Sequence, residues 1–217
     1  MHLLNRLLPP LRPSAQPTFA WSRVEAFIDG LYAIAATLLV LELKPPRTAP
    51  GHLGHALLDQ WPIYLVYALG FIQMIGGWAA SRRLGSMLAR ADHYVVLMTM
   101  VALMSFVLTP FTFAVLSDAV HDRHDFVSGI RLLSLVLGAS LIGLAGNMTY
   151  IRRRGYFREG LPTEAFERAY LASVTVWVLP LLALGLSYVV GPWAITPIVV
   201  MSVLSLLPFD LPGDAAL

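Results

Sequence analysis

Apolar runs long enough to cross a bilayer recur along this chain, and they leave few folds open to it. The clearest lies between Arg23 and Lys44, reads RVEAFIDGLYAIAATLLVLELK and stops at Pro45-Pro46. A helix needs about 20 predominantly apolar residues to span the hydrocarbon core. The chain is 57% hydrophobic and 13% charged, whereas a soluble domain carries roughly a quarter charged residues. Its mean hydropathy of +0.69 points the same way. Backbone polar groups inside lipid must be satisfied within the chain, so such spans are helical. The reading is an all-α polytopic membrane protein with six transmembrane helices, forming a single domain over residues 1–217.

The boundaries follow from caps and breakers. Residues 1–21 read as a cytoplasmic tail, because Pro9, Pro10 and Pro13 interrupt the only apolar patch there. Helix one is expected over 22–43, with Ser22 as N-cap and Glu25 at capping-box spacing. Helix two is expected over 61–81, opened by the interfacial aromatics Trp61 and Tyr64 and closed by Arg82-Arg83. Helix three, over 93–116, contains Thr109-Pro110-Phe111 and should kink there. Helix four, over 128–151, carries Gly138, Ala139, Ser140, Gly143 and Gly146, small residues that allow close helix approach. Helix five covers 163–190, and the Gly191-Pro192 turn leads into helix six over 193–207.

Eleven of the fifteen Lys and Arg residues fall on one side of this topology, leaving Lys44, Arg47, Arg123 and Arg131 on the other. The positive-inside rule then makes both termini cytoplasmic, and it accounts for the net charge of +2 without a nucleic-acid partner. The absence of cysteine excludes disulfides and thiol chemistry. No hydrolase, zinc-protease or P-loop motif is present, so neither an enzyme nor a cofactor is indicated. His52 and His55, and the cluster Asp118, His121, Asp122, His124 and Asp125, have metal-binding types without metal-binding spacing. They read as solvated loop residues.

Within helix one, a 100° step per residue puts Ile34, Leu38 and Leu41 on one stripe, with Phe27 and Arg23 extending it and Thr37 at its edge. Such a stripe is by default packing, and periodicity alone does not distinguish packing from a pore. Asp29 lies roughly 140° away and should face the subunit's own helices. An acid inside a span is costly without a partner. It reads either as a hydrogen-bonded structural acid or as a proton relay.

Arg23, Phe27 and Asp29 resemble the R-x-x-x-F-S-D signature that opens the first helix of the transmembrane protein 175 family, with Ile28 in place of the serine. Trp78 and Pro110-Phe111 match further family features, while Ser81 stands where a histidine is common. The resemblance implies a potassium channel of the cell membrane, assembled as a homotetramer around a pore lined by helix one. It also implies that Ile34 forms the narrowest apolar ring, with Leu38 and Leu41 adding rings and Thr37 supplying oxygen. Arg23, Phe27, Asp29 and Trp78 would then form a motif and assembly network, Trp78 donating to Asp29. No TVGYG-like filter is present. Two other classes stay open: a secondary transporter or proton carrier using Asp29 and Glu42, and a non-conducting scaffold.

Overall fold

The computed structural model describes residues 19–158, 176 and 178–206. A two-residue strand β1 (Phe19–Ala20) leads directly into α1 (Trp21–Leu39), which tightens into a 3-10 turn over Val40–Glu42. After a short helix α2 (Leu53–Asp59), α3 (Trp61–Ser86) crosses the body. Strand β2 (Arg90–Ala91) precedes α4 (His93–Val107) and α5 (Thr109–Asp118), and the long α6 (Arg123–Arg154) follows. Helical residues 178–186, here α7, lead through a 3-10 turn (Gly191–Ile195) to α8 (Thr196–Leu206). Among the described residues, four stretches are long and apolar enough to cross a membrane: Trp21–Glu42, Trp61–Ser86, His93–Asp118 and Arg123–Arg154.

Several boundaries differ from those expected, each for a local reason. The N-cap of α1 is Ala20, which makes no side-chain cap bond. Ser22 therefore lies inside the first turn, and Glu25 is drawn to Arg82 instead. The third span breaks at Leu108, one residue before α5 begins, because Pro110 is accommodated in the first turn of a new helix. Helix α6 starts five residues earlier than expected, since Asp122 caps it by accepting from the amides of His124 (2.8 Å) and Asp125 (2.9 Å). It ends at Gly155, whose φ of 68° lets its own N–H and that of Tyr156 reach the Ile151 carbonyl. α3 continues to Ser86, and α7 gives way to turn at 187–190. Residues 1–18, 159–175 and 207–217, which hold the tail and the start of helix five, lie outside the described residues.

Apolar packing is divided between the two ends of α1. Trp21, Val24 and Ile28 join Leu84, Leu88, Val95 and Met148 at one end. At the other, Leu39 joins Phe113, Ile130, Leu133 and Ile198. Ala35, Met74 and Phe106 connect the two at mid-height. Polar side chains tie the helices together between these layers, as suits an environment in which buried hydroxyls and amides lack water. Ser140 donates to the Ala102 carbonyl (3.0 Å), Asn147 to Thr99 Oγ1 (2.7 Å) and Ser202 to Gln73 Oε1 (2.9 Å). The small residues of α6 serve two neighbours: a Cβ at Gly138 would sit 3.0 Å from Leu181, and one at Gly143 3.3 Å from Ala102.

Beyond one end of the body, short backbone pairings gather three segments. β1 pairs antiparallel with β2, setting Phe19 opposite Ala91, and Leu88 bridges to Phe157. Asp92 stands in the middle of this collar. Its Oδ1 accepts from Val95 N (2.9 Å), and its Oδ2 from the hydroxyls of Tyr150 (2.8 Å) and Tyr156 (2.9 Å). The start of α1, the α3–α4 connection and the end of α6 are thereby held together.

Candidate functional site

α1 has two unlike faces. Trp21, Val24, Ile28, Ala35 and Leu39 are buried against the rest of the subunit. Arg23, Ala26, Phe27, Gly30, Ala33, Ile34, Thr37 and Leu38 are exposed, and Leu41 continues this face into the 3-10 turn. Ile34 is 56% exposed, Leu38 45% and Leu41 67%. These three are not core residues of their own subunit, so the default reading of the stripe as intrasubunit packing does not hold. Large apolar residues elsewhere are exposed too, Met104 and Ile142 among them. The α1 face interleaves its large side chains with Ala, Gly and Thr, the residue types that let membrane helices approach one another.

The Thr37 hydroxyl donates to the Ile34 carbonyl at 2.8 Å, an i−3 back-bond on the exposed face. With its proton committed to the helix, the oxygen keeps lone pairs available on the open side. That arrangement suits an oxygen that meets a cation.

Asp29 lies beside this face and turns toward α3. Trp78 Nε1–H donates to its Oδ1 at 2.9 Å, and Arg82 approaches its Oδ2 at 3.4 Å. The same guanidinium pairs with Glu25 at 3.2 Å. One cation thus serves two carboxylates of α1, spaced i and i+4, while Trp78 and Arg82 stand i and i+4 on α3. Three corrections follow. The Asp29 side chain is 38% exposed rather than buried. Its cation is Arg82, and Arg23 is exposed with no ion pair among the described residues. Arg82 and Glu25 belong to the network, although the sequence suggests only a helix-end role for Arg82 and a capping role for Glu25; the paired i, i+4 spacings are the available signal. The open groove next to them, about 380 Å³, is lined by Asp29, Ala33, Ala36, Ile75 and Trp78, among others.

Ile28, at the substituted motif position, is only 3% exposed and packs in the core with Leu84 and Met148. Ser81 lines the same internal cavity as Ile28. Glu42 sits 13 residues beyond Asp29, about 20 Å along a helix axis, too far for the two acids to share one ion. In the connection before α6, no three acidic or histidine residues converge among the described residues. Asp122 is a helix cap there, and Asp118 makes a loose exposed pair with Lys44 at 3.9 Å.

Residues 23–110 match the family described as "Endosomal/lysosomal potassium channel TMEM175". A potassium channel of Streptomyces collinus is 33% identical over 135 residues, covering 62% of this chain and 66% of that protein. A potassium channel of Chamaesiphon minutus is 38% identical over 99 residues, covering 44% of this chain and 49% of that protein. The matches therefore span about half of one bacterial relative and just under two thirds of the other. The endosomal/lysosomal proton channel TMEM175 of Gallus gallus is 28% identical over 123 residues, 52% of this chain and 25% of that protein. In three dimensions, the crystal structure of a lysosomal potassium-selective channel TMEM175 homolog from Chamaesiphon minutus is similar at a TM-score of 0.74 and 25% identity. That similarity covers 85% of this chain and 95% of the other.

Proposed function

This chain belongs to the TMEM175 family, and from that premise we propose that it is a potassium-preferring, leak-like cation channel of the cell membrane. Four copies, each with six spans and cytoplasmic termini, surround a pore lined by α1. The observation that carries the reading is the exposed stripe of Ile34, Leu38 and Leu41, which the subunit leaves uncovered. Fourfold symmetry about that stripe turns each residue into a ring.

At the Ile34 ring the path narrows until an ion must shed part of its water. Potassium holds its hydration shell less tightly than sodium, so an apolar constriction favours it. Thr37, three residues on, offers oxygen on the same face. Asp29, Trp78, Arg82 and Glu25 hold the first half of α1 against α3, so they position the pore helix rather than meet the ion. Arg23 and Phe27, exposed at the start of the stripe, are free to contact neighbouring copies. A transporter using Asp29 and Glu42 is disfavoured by their separation, and Asp29 is already bonded to two α3 donors.

Potassium and sodium flux measured in proteoliposomes tests the proposal. Wild-type protein should pass potassium faster than sodium, and Ile34→Ser should raise sodium flux toward the potassium value. Verified tetramers without flux of either ion would favour a scaffold, and an unchanged ion preference in Ile34→Ser would remove Ile34 from the constriction.

A further inference from the structure

Behind α1, on the side away from the exposed stripe, Trp21, Ile28 and Tyr32 form one wall of a cavity completed by α3, α4 and α6. It offers about 50 Å³, where roughly 10–15 Å³ suffices to hold one water molecule. Two of its lining residues carry polar atoms with no partner among the described residues: Trp21 Nε1 and Asn147 Oδ1. Both side chains are almost fully enclosed, at 6% and 2% exposure.

The chemistry of these two atoms is complementary. Indole Nε1–H is a donor only, and the amide oxygen is an acceptor. Asn147 has already committed its Nδ2 to Thr99 Oγ1 and the Val95 carbonyl, so its oxygen cannot be satisfied by turning the amide without losing those bonds. Thr99 and Ser140, on the same walls, donate to the carbonyls of Val95 and Ala102 and keep lone pairs to offer. Leaving a buried polar group unpaired costs about 1–3 kcal/mol, and native interiors rarely do so. An occupant must therefore both give and accept hydrogen bonds. It must also be small, and neutral, because no charged side chain lines the cavity.

Water meets these requirements. We propose that this cavity is a hydration site inside the membrane-spanning body, holding a cluster of ordered water that accepts from Trp21 Nε1–H and donates to Asn147 Oδ1. The water would complete the hydrogen bonding of α1 and α6 between two polar atoms that are not bonded to each other.

Water-to-protein magnetisation transfer in solid-state NMR, on the full-length protein in lipid bilayers, tests this directly. The Trp21 indole N–H and the Asn147 side-chain amide should both show contacts to bound water; if either is dry, the proposal fails. A second measurement uses Ser81→Leu, which fills the cavity from its α3 wall. If water is resident, the leucine displaces it and strands both polar atoms, so both water contacts should vanish and the melting temperature should fall by several degrees. In an empty cavity the same leucine adds packing, and a raised melting temperature would overturn the proposal.

Discussion

Asp29 illustrates how little of a charged residue's role is visible in its own position. Its carboxylate accepts from Trp78 and faces an arginine that is also shared with Glu25. Because Arg82 retains Glu25 when Asp29 is neutralised, Asp29→Asn does not strand a cation. The loss is one charge-assisted contact on a side chain that is 38% exposed, so about 1 kcal/mol per subunit is expected after allowance for solvent. Repeated in each copy of the proposed tetramer, it should lower the recovery of tetramer in detergent, read by size-exclusion chromatography. Full recovery together with altered conductance would instead place Asp29 in the ion path.

At the scale of elements, the collar at the start of α1 sets where that helix begins. β1 and β2 pair through only two residues each, and so short a ladder is marginal by itself. Asp92 reinforces it by joining the first turn of α4 to Tyr150 and Tyr156 at the end of α6. Burial pushes the Asp92 carboxyl upward, but the Val95 amide, the two tyrosine hydroxyls and the Arg154 charge together hold it below the usual carboxylate range. A carboxyl depressed in the folded state contributes stability above its unfolded value, about 3.9. That contribution is lost as pH falls through the lower, folded value. Melting temperature measured against pH in detergent should therefore drop below about pH 4. Asp92→Asn should melt lower than wild type at pH 7 and lose less on acidification; equal acid sensitivity of the two proteins would remove Asp92 from this role.

At the scale of the whole molecule, the decisive question is what covers the exposed face of α1. The native chain contains no cysteine, so a single introduced thiol reports on its own surroundings without further changes. Ile34→Cys should react with a charged, membrane-impermeant thiol reagent, and potassium flux should fall as it does. Ile142→Cys, on an exposed face of α6, should leave flux unchanged because hydrocarbon excludes the reagent. Equal protection of both thiols would place Ile34 against lipid or protein rather than in an aqueous path.

Much of the architecture follows from one-dimensional information. Apolar runs, proline stops and arginine-rich ends mark spans because lipid forbids unpaired backbone, a constraint that acts on every residue locally. The stripe of Ile34, Leu38 and Leu41 is likewise legible, since helical periodicity is fixed by backbone geometry. Periodicity could not tell whether that stripe is buried, because either face of an apolar helix can pack. Only the assembled subunit, which buries Ile28, Ala35 and Leu39 and leaves Ile34 exposed, decides it. The same holds for Arg82, which finds Asp29 across 53 positions of sequence, and for Trp21 and Asn147, which share one cavity although they lie on different helices far apart in sequence. Such pairings depend on which helix faces meet, and that is settled by packing of the whole body rather than by any single span.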